Sequence, residues 1–563
     1  MIEYLIKYDH PHRHFVSFEG TFPTENKDHI RLQLPAWRPG RYELGNFAKN
    51  IRHWRAYDVV GNLLSYKKIT KDCWEIETKG STSVRVSYQY YAAELNAGST
   101  FLDEQMLYIN PVNCFFYQEG SENLPYQLRF VLPESYEIAC GLKHTSKHEL
   151  QADNFDQLAD APLIASANLR HLQYQSNGVV FHIWIQGDLA ITDTKLCDDF
   201  QKFTDIHFEI FGGIPCTEYH FLFHLPPYFI RHGVEHHNST VIAMGPATEM
   251  ATPGGYEDFL AISCHELFHT WNIKSIRPVE MMPYDFTKEN YSPLGYVAEG
   301  VTTYYGDYLL YRSGLISEHR WQEMLAEWIK EHKENQGRFN LSVAESSVDT
   351  WLDGYTPGIP WRKVSIYTEG ALIAFITDQR IRQATSNRKS LDDVMRKLYE
   401  RFGMQQKGYS ENDYKTLLEE ISESDFSDIF SNLIHSASDY TSYLLRALEY
   451  CDYELVSSPA KFSEMWLGMK VEEANGKVVV NYIKENGPAD NAGLWMGDEI
   501  VSVNGIQPYK NFQNLVTRAG EIISIVFLRK NQIRNTSLSP TTVAQITNYF
   551  VAKKSSTTSR TEG

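Results

Sequence analysis

The sequence predicts a multidomain α+β protein: an all-β first domain of sandwich type, a mainly helical middle domain, and a compact β module towards the C-terminus. Residues 1 to about 170 carry period-2 hydrophobicity, and long helical patterns run from Gly255 to about 450. Strand signals return, punctuated by glycine, between about 465 and 530. With 563 residues the chain has room for about three or four domains.

In chain order, Val84-Arg85-Val86-Ser87-Tyr88-Gln89-Tyr90 alternates apolar and polar residues as a half-buried strand does. Around residue 178 the pattern changes. The run Val179-Val180-Phe181-His182-Ile183-Trp184-Ile185 reads as a strand, 194–211 as a helix, and Tyr219-His220-Phe221-Leu222-Phe223 as another strand. Expected boundaries are 1–170 for the β domain, 171–455 for the middle domain, 456–535 for the C-terminal module and 536–563 for an extension. The end of that extension, Lys553 to Ser559, is polar enough to be disordered.

The net charge of −18 argues against nucleic acid as a partner, because phosphate binding needs a cationic footprint. No apolar run approaches the length of a membrane span. Seven scattered cysteines (Cys73, Cys114, Cys140, Cys197, Cys216, Cys264 and Cys451) show no metal or redox spacing. Together with the lack of a leader-like stretch at Met1–Lys7, they point to a cytoplasmic protein with reduced thiols. A periplasmic or secreted location would follow if a leader had been removed. Oligomeric state is not legible.

The chemistry concentrates in Ser263-Cys264-His265-Glu266-Leu267-Phe268-His269-Thr270-Trp271. No proline or glycine interrupts Tyr256 to Asn272, so a helix is expected there. Histidines at i and i+4 share one helix face and can reach one ion. Zinc suits two imidazoles plus a third ligand, leaving a fourth position open. Glu266, beside the first histidine, is placed to take a proton from a water polarised by that ion. Chance alone produces such short patterns in long chains, so a third ligand matters. Glu299 is the candidate, on a helix expected to start at Ser292-Pro293 and to carry it about two turns in. Thr303, one turn on, is a weaker candidate to hydrogen-bond a ligand histidine, since helix threonines often bond their own backbone.

Beyond the motif, His265 to Pro278 resembles the extended signature of the glycyl aminopeptidase family of gluzincin zinc metallopeptidases. Glu299-Gly300 with Thr303-Tyr304-Tyr305 resembles that family's third-ligand helix, and Leu34-Pro35-Ala36-Trp37-Arg38-Pro39-Gly40-Arg41-Tyr42 is similar to its N-terminal-domain signature. The resemblance implies a thermolysin-like catalytic domain holding one Zn2+ through His265, His269 and Glu299. It assigns Glu235, in Gly233-Val234-Glu235-His236-His237, to the substrate's free amine, with Gly233 on the same cleft-lining strand. It assigns Tyr367, in Val364-Ser365-Ile366-Tyr367-Thr368-Glu369-Gly370, to the oxyanion, with Tyr304 or Tyr305 as runners-up. Glu369 departs from the pattern, which has lysine there. Lys274 and Arg277 would bind a substrate carboxylate or form structural ion pairs. The implied substrates are short peptides with a small N-terminal residue such as Gly or Ala.

Trp466-Leu467-Gly468-Met469 followed by Gly487-Pro488-Ala489 and Asn504-Gly505 looks like a PDZ domain. Leu467, Gly468 and Met469 would capture a peptide or protein C-terminus, with a strand added at the neighbouring sheet edge. The module could equally be a structural cap. Two other readings compete with the aminopeptidase: a non-catalytic PDZ-based scaffold with a vestigial peptidase domain, and a zinc endopeptidase. The first is weakened because both histidines, Glu266 and Glu299 are all present.

Overall fold

The computed structural model describes residues 1–355 and 358–554. Its architecture is a multidomain α+β one, and it divides into two compact units. The first comprises 1–321 with 336–447, and the second 322–335 with 448–563.

The first unit opens with β-structure. A seven-stranded sheet has Ile2–Lys7 at its centre, paired parallel with Tyr126–Val131 and antiparallel with Phe15–Pro23. In Ser83–Tyr91, Val84, Val86, Tyr88 and Tyr90 are buried while the intervening residues are partly exposed, as period-2 alternation requires. Two four-stranded sheets complete this region around one aromatic-rich core that includes Phe18, Phe115 and Tyr126.

From Leu169 a five-stranded sheet opens the middle region. Val179–Gln186, Glu218–His224 and Ser239–Gly245 run parallel, and Ile230–Glu235 lies antiparallel on the edge. Helix Asp193–Phe211 starts with Thr192 accepting the Lys195 N–H and ends at Gly212 in the left-handed region (φ 73°). Beyond it helices dominate.

In the second unit a five-stranded sheet runs in the order Met469–Ala474, Lys477–Ile483, Glu499–Val503, Ile523–Arg529, Gln532–Leu538. Asn504 (φ 49°) and Gly505 (φ 80°) make the tight turn that needs two left-handed residues. The expected extension is partly ordered, since Asn548–Lys553 pairs antiparallel with Tyr453–Ser458. The sequence expectation for the polar tail falls mostly on 555–563, outside the described residues. Residues 322–335, expected with the catalytic domain, belong to this unit: Lys470 pairs with Glu334 at 2.5 Å, and the Tyr482 hydroxyl donates to the Glu334 carbonyl at 3.0 Å. Among the described residues no helix is long and apolar enough to cross a membrane.

Candidate active site

Helix Pro253–Phe268 is capped by Thr252, whose hydroxyl accepts the Gly255 N–H, and carries His265 and Glu266 in its last turn. His269 follows immediately. Its Nδ1 lies 2.7 Å from the Asn272 carbonyl, which can only accept, so that nitrogen holds a proton and in the neutral ring Nε2 keeps its lone pair. The Asn272 amide in turn donates to the Val297 carbonyl at 2.8 Å, tying the motif to the segment bearing Glu299.

Glu299 sits in a π-helical stretch, Tyr296–Val301, that runs into the α-helix Thr302–Arg312. Regular helix begins near Gly295, not at Ser292, so Glu299 lies one turn in rather than two. The Ser292 hydroxyl donates to Glu280 at 3.0 Å and accepts the Leu294 N–H at 3.3 Å, ahead of the helix. A π-turn adds a residue to the local repeat, and such turns recur at functional sites.

Two close backbone approaches fix the helices. Gly306 faces the backbone and Cβ of His265, where an added Cβ would lie 3.0 Å away. Gly300 meets Gly370 of helix Ile366–Ala384, where an added Cβ would stand 2.3 Å from a backbone atom. That crossing brings Tyr367 beside Glu299: burial first, then the Glu299 carboxylate, pushes the Tyr367 phenol well up and keeps it protonated. Its hydroxyl lies 3.5 Å from that of Tyr355. Tyr304 and Tyr305 are committed elsewhere, donating to Asp378 and Asp392 at 2.8 Å each. Glu369 is buried against the Tyr440 phenol.

His265 Nε2 and His269 Nε2 face each other at 3.1 Å, and Glu299 Oε2 lies 3.4 Å from His269 Nε2 and 4.0 Å from His265 Nε2. Two imidazole nitrogens and a carboxylate aimed at one another need a proton or a metal cation among them, and, against burial, the surrounding carboxylates, Glu299 first, raise His269 to about 10. The donor set fits a divalent metal of borderline softness. Glu266 is set off from this trio. Its Oε2 is buried with no hydrogen-bond partner, and burial together with the Glu235 and Glu299 carboxylates pushes its pKa up to about 8, with His269 opposing. Gly233 is what makes room for it, because a Cβ at 233 would lie 2.0 Å from Glu266 Oε1.

Glu235 ends the edge strand Ile230–Glu235, buried and with Oε1 unpartnered. The β domain reaches it directly. Gly40, at φ 79°, lies against it so closely that a Cβ there would be 2.4 Å from Glu235 Oε2. Arg38 is buried nearby, within hydrogen-bonding distance of His232 (3.4 Å). Tyr42 donates its phenolic proton to Glu299 Oε1 at 3.1 Å. Asp160 accepts from His236 Nδ1 (3.0 Å), the His237 N–H (2.9 Å) and Lys274 Nζ (2.8 Å). Lys274 is thus spent on a buried ion pair, and Arg277 stacks on Tyr284 at 3.9 Å. Both line a cavity of about 450 Å³ with Asp160 and Tyr284. Thr303 bonds the Glu299 carbonyl of its own helix, and Thr302, one residue earlier, faces His269 Nδ1 at 3.5 Å.

Sequence reasoning missed Arg38, Gly40, Tyr42 and Asp160 as site neighbours. The signature Leu34 to Tyr42 was visible, but nothing local says where a loop of one domain docks. In the C-terminal module Leu467 and Met469 are fully buried in its core. Gly468 (φ 69°) ends helix Phe462–Leu467, with its N–H on the Ser463 carbonyl.

A second donor cluster, His182, Glu218 and His220, brings its atoms within 4.8 Å. The Trp184 indole N–H donates to His220 Nδ1 at 3.2 Å. An indole only donates, so neutral His220 carries its proton on Nε2, the atom facing Glu218, which makes it a poor metal ligand.

Fold and donor set together define a metallopeptidase built on paired helix histidines and a glutamate from a second helix. Family models agree: residues 3–167 match the peptidase M61 N-terminal domain, 258–373 the M61 glycyl aminopeptidase, and 466–539 a PDZ domain. A crystal structure of an aminopeptidase N family protein from Idiomarina loihiensis is similar over 99% of this chain and 98% of that one, at 26% identity and TM-score 0.91. An M1 zinc metallopeptidase mutant from Deinococcus radiodurans bound to a Tyr-Ser-Ala substrate aligns over 75% of this chain and 91% of that one, at 14% identity and TM-score 0.46. No curated protein sequence matches. Residues 3–167 and 258–373 thus match the two M61 peptidase domains in the order that family carries them. The protein is a metallopeptidase of aminopeptidase type.

Proposed function

We propose that the protein is a zinc aminopeptidase that removes small N-terminal residues, Gly or Ala, from short peptides. The observation that carries this reading is the adjacency of the two clusters, His265–His269–Glu299 and Glu235–Glu266–His269, which share His269. One zinc would be held by His265 Nε2, His269 Nε2 and Glu299. When bound it supplies Lewis acidity, making water acidic near neutrality and polarising a peptide carbonyl. Glu266, with an unpartnered oxygen in a buried setting, takes the proton of the attacking water and returns it to the leaving amine. Tyr367, held protonated, donates to the oxygen on which charge develops. Glu235 binds the free ammonium and sets the first peptide bond over the site.

The small-residue preference is supported by the family description and by Gly40 walling the Glu235 side at close range. For the PDZ module, the commitment of the Gly468 N–H to Ser463 favours a structural role for the Leu467–Met469 loop over carboxylate capture.

The test is metal content together with hydrolysis of N-terminally free and blocked peptides. Stoichiometric zinc, activity abolished by blocking, and a Glu266→Gln variant that keeps its metal but loses about 10²–10⁴-fold in kcat are the expected outcomes. A metal-free wild type no more active than Glu266→Gln would overturn the reading.

A further inference from the structure

Tyr42 does not belong to the catalytic fold at all. It lies in the loop between strands His29–Gln33 and Ile51–Tyr57 of the β domain, yet its hydroxyl is 3.1 Å from Oε1 of Glu299. We infer that Tyr42 is a positioning residue for the metal centre: it holds Glu299 by one oxygen so that the other faces the two histidines.

The geometry supports this at three levels. Oε2, the oxygen Tyr42 leaves free, is the one 3.4 and 4.0 Å from the imidazole nitrogens. The phenol can only be useful there as a donor, because an ionised carboxylate offers lone pairs alone. Finally, the ring cannot wander. It is buried with Trp37, Ile273, Ala298 and Trp351, and the loop is stitched to the catalytic region by the Trp37 indole N–H on the Asp285 carbonyl (2.7 Å) and the Ala36 N–H on the Phe286 carbonyl (2.8 Å). Groups that orient a ligand from behind typically change metal affinity 10–100-fold when removed. The loss of a carboxylate partner also lets Glu299 rotate, because no other side-chain donor is placed on Oε1 among the hydrogen bonds of the described residues.

The inference rests on the metal-centre reading, and the experiment separates the two. Zinc affinity of wild type and Tyr42→Phe is measured by chelator competition on the full-length protein, alongside the melting temperature of the metal-free forms and kcat at saturating zinc. Phenylalanine keeps the ring and its packing. The expected result is a 10–100-fold weaker zinc Kd for Tyr42→Phe with a melting temperature close to that of wild type. Zinc affinities within a factor of two would overturn the role of Tyr42 while leaving the metal centre intact. A wild type that fails to bind zinc would overturn the metal centre itself. If Tyr42→Phe also melts several degrees lower, Tyr42→Leu is compared. A purely structural role then makes affinity track stability across both variants, whereas a positioning role gives both the same affinity loss at different melting temperatures.

Discussion

At the scale of single residues, the site is shaped by what is left out as much as by what is present. Glu266 needs the space that a side chain at 233 would take, with an added Cβ only 2.0 Å from its Oε1. Gly233→Ala must therefore push the glutamate off its position without touching any metal donor. Activity should fall on the order of 10²-fold while zinc content stays at the wild-type level, measured by metal analysis beside peptide hydrolysis. Loss of zinc along with activity would mean that Gly233 supports the ligands instead. Tyr367 and the runner-up tyrosines make a similar point. The sequence offers 35 tyrosines, and only geometry separates one beside Glu299 from two already bonded to Asp378 and Asp392.

At the scale of elements, the crossing of the Glu299 and Tyr367 segments depends on two glycines meeting back to back. In Gly300→Ala the new methyl would stand 2.3 Å from the Gly370 backbone, and backbone cannot swing aside as a flexible side chain can. The helices must separate, at a cost of about 1–3 kcal/mol. The melting temperature, the zinc affinity and kcat should all fall together, in contrast to the selective loss expected at Gly233. An unchanged melting temperature would contradict the tight crossing. These elements also show which information is local. Period-2 alternation in Ser83–Tyr91 and the i, i+4 histidines of Pro253–Phe268 are written in adjacent residues, so strand and motif helix were legible. Ser292-Pro293 reads locally as a helix start, but the Ser292 hydroxyl, while accepting the Leu294 N–H, donates to Glu280 twelve residues earlier, and the helix begins only near Gly295. The π-turn and the docking of the Trp37–Tyr42 loop depend on partners far along the chain, and no window of sequence contains them.

At the scale of the whole molecule, several histidines are buried in their neutral form away from the candidate metal ligands. Burial lowers His207 to about 4, and His224 to about 3. Burial also lowers His220 to about 3, assisted by neighbouring His182, His144 and His171. Unfolded, each would take up its proton near pH 6.5. The unfolded chain therefore binds more protons than the folded one throughout the window from about 6.5 down to about 3–4, and stability drops as pH falls through it. Each such histidine costs up to about 1.4 kcal/mol per pH unit within that window. A melting temperature that declines from pH 6.5 to 4.5, and declines less steeply in His224→Phe, is the expected outcome. A flat profile over that range would contradict the neutral burial of these rings.

Asp160 carries a consequence for how such a protein can be taken apart. It sits where the β domain ends, and it accepts at once from the two residues after Glu235 and from the lysine five residues after His269. Residues 1–321 and 336–447 accordingly form one compact unit, and the end of the β domain near residue 170 is a border of topology alone. Exchanging the first domain for a homologous one would transplant part of a catalytic centre. The portion that can be inherited, shuffled or engineered as a working piece is the pair.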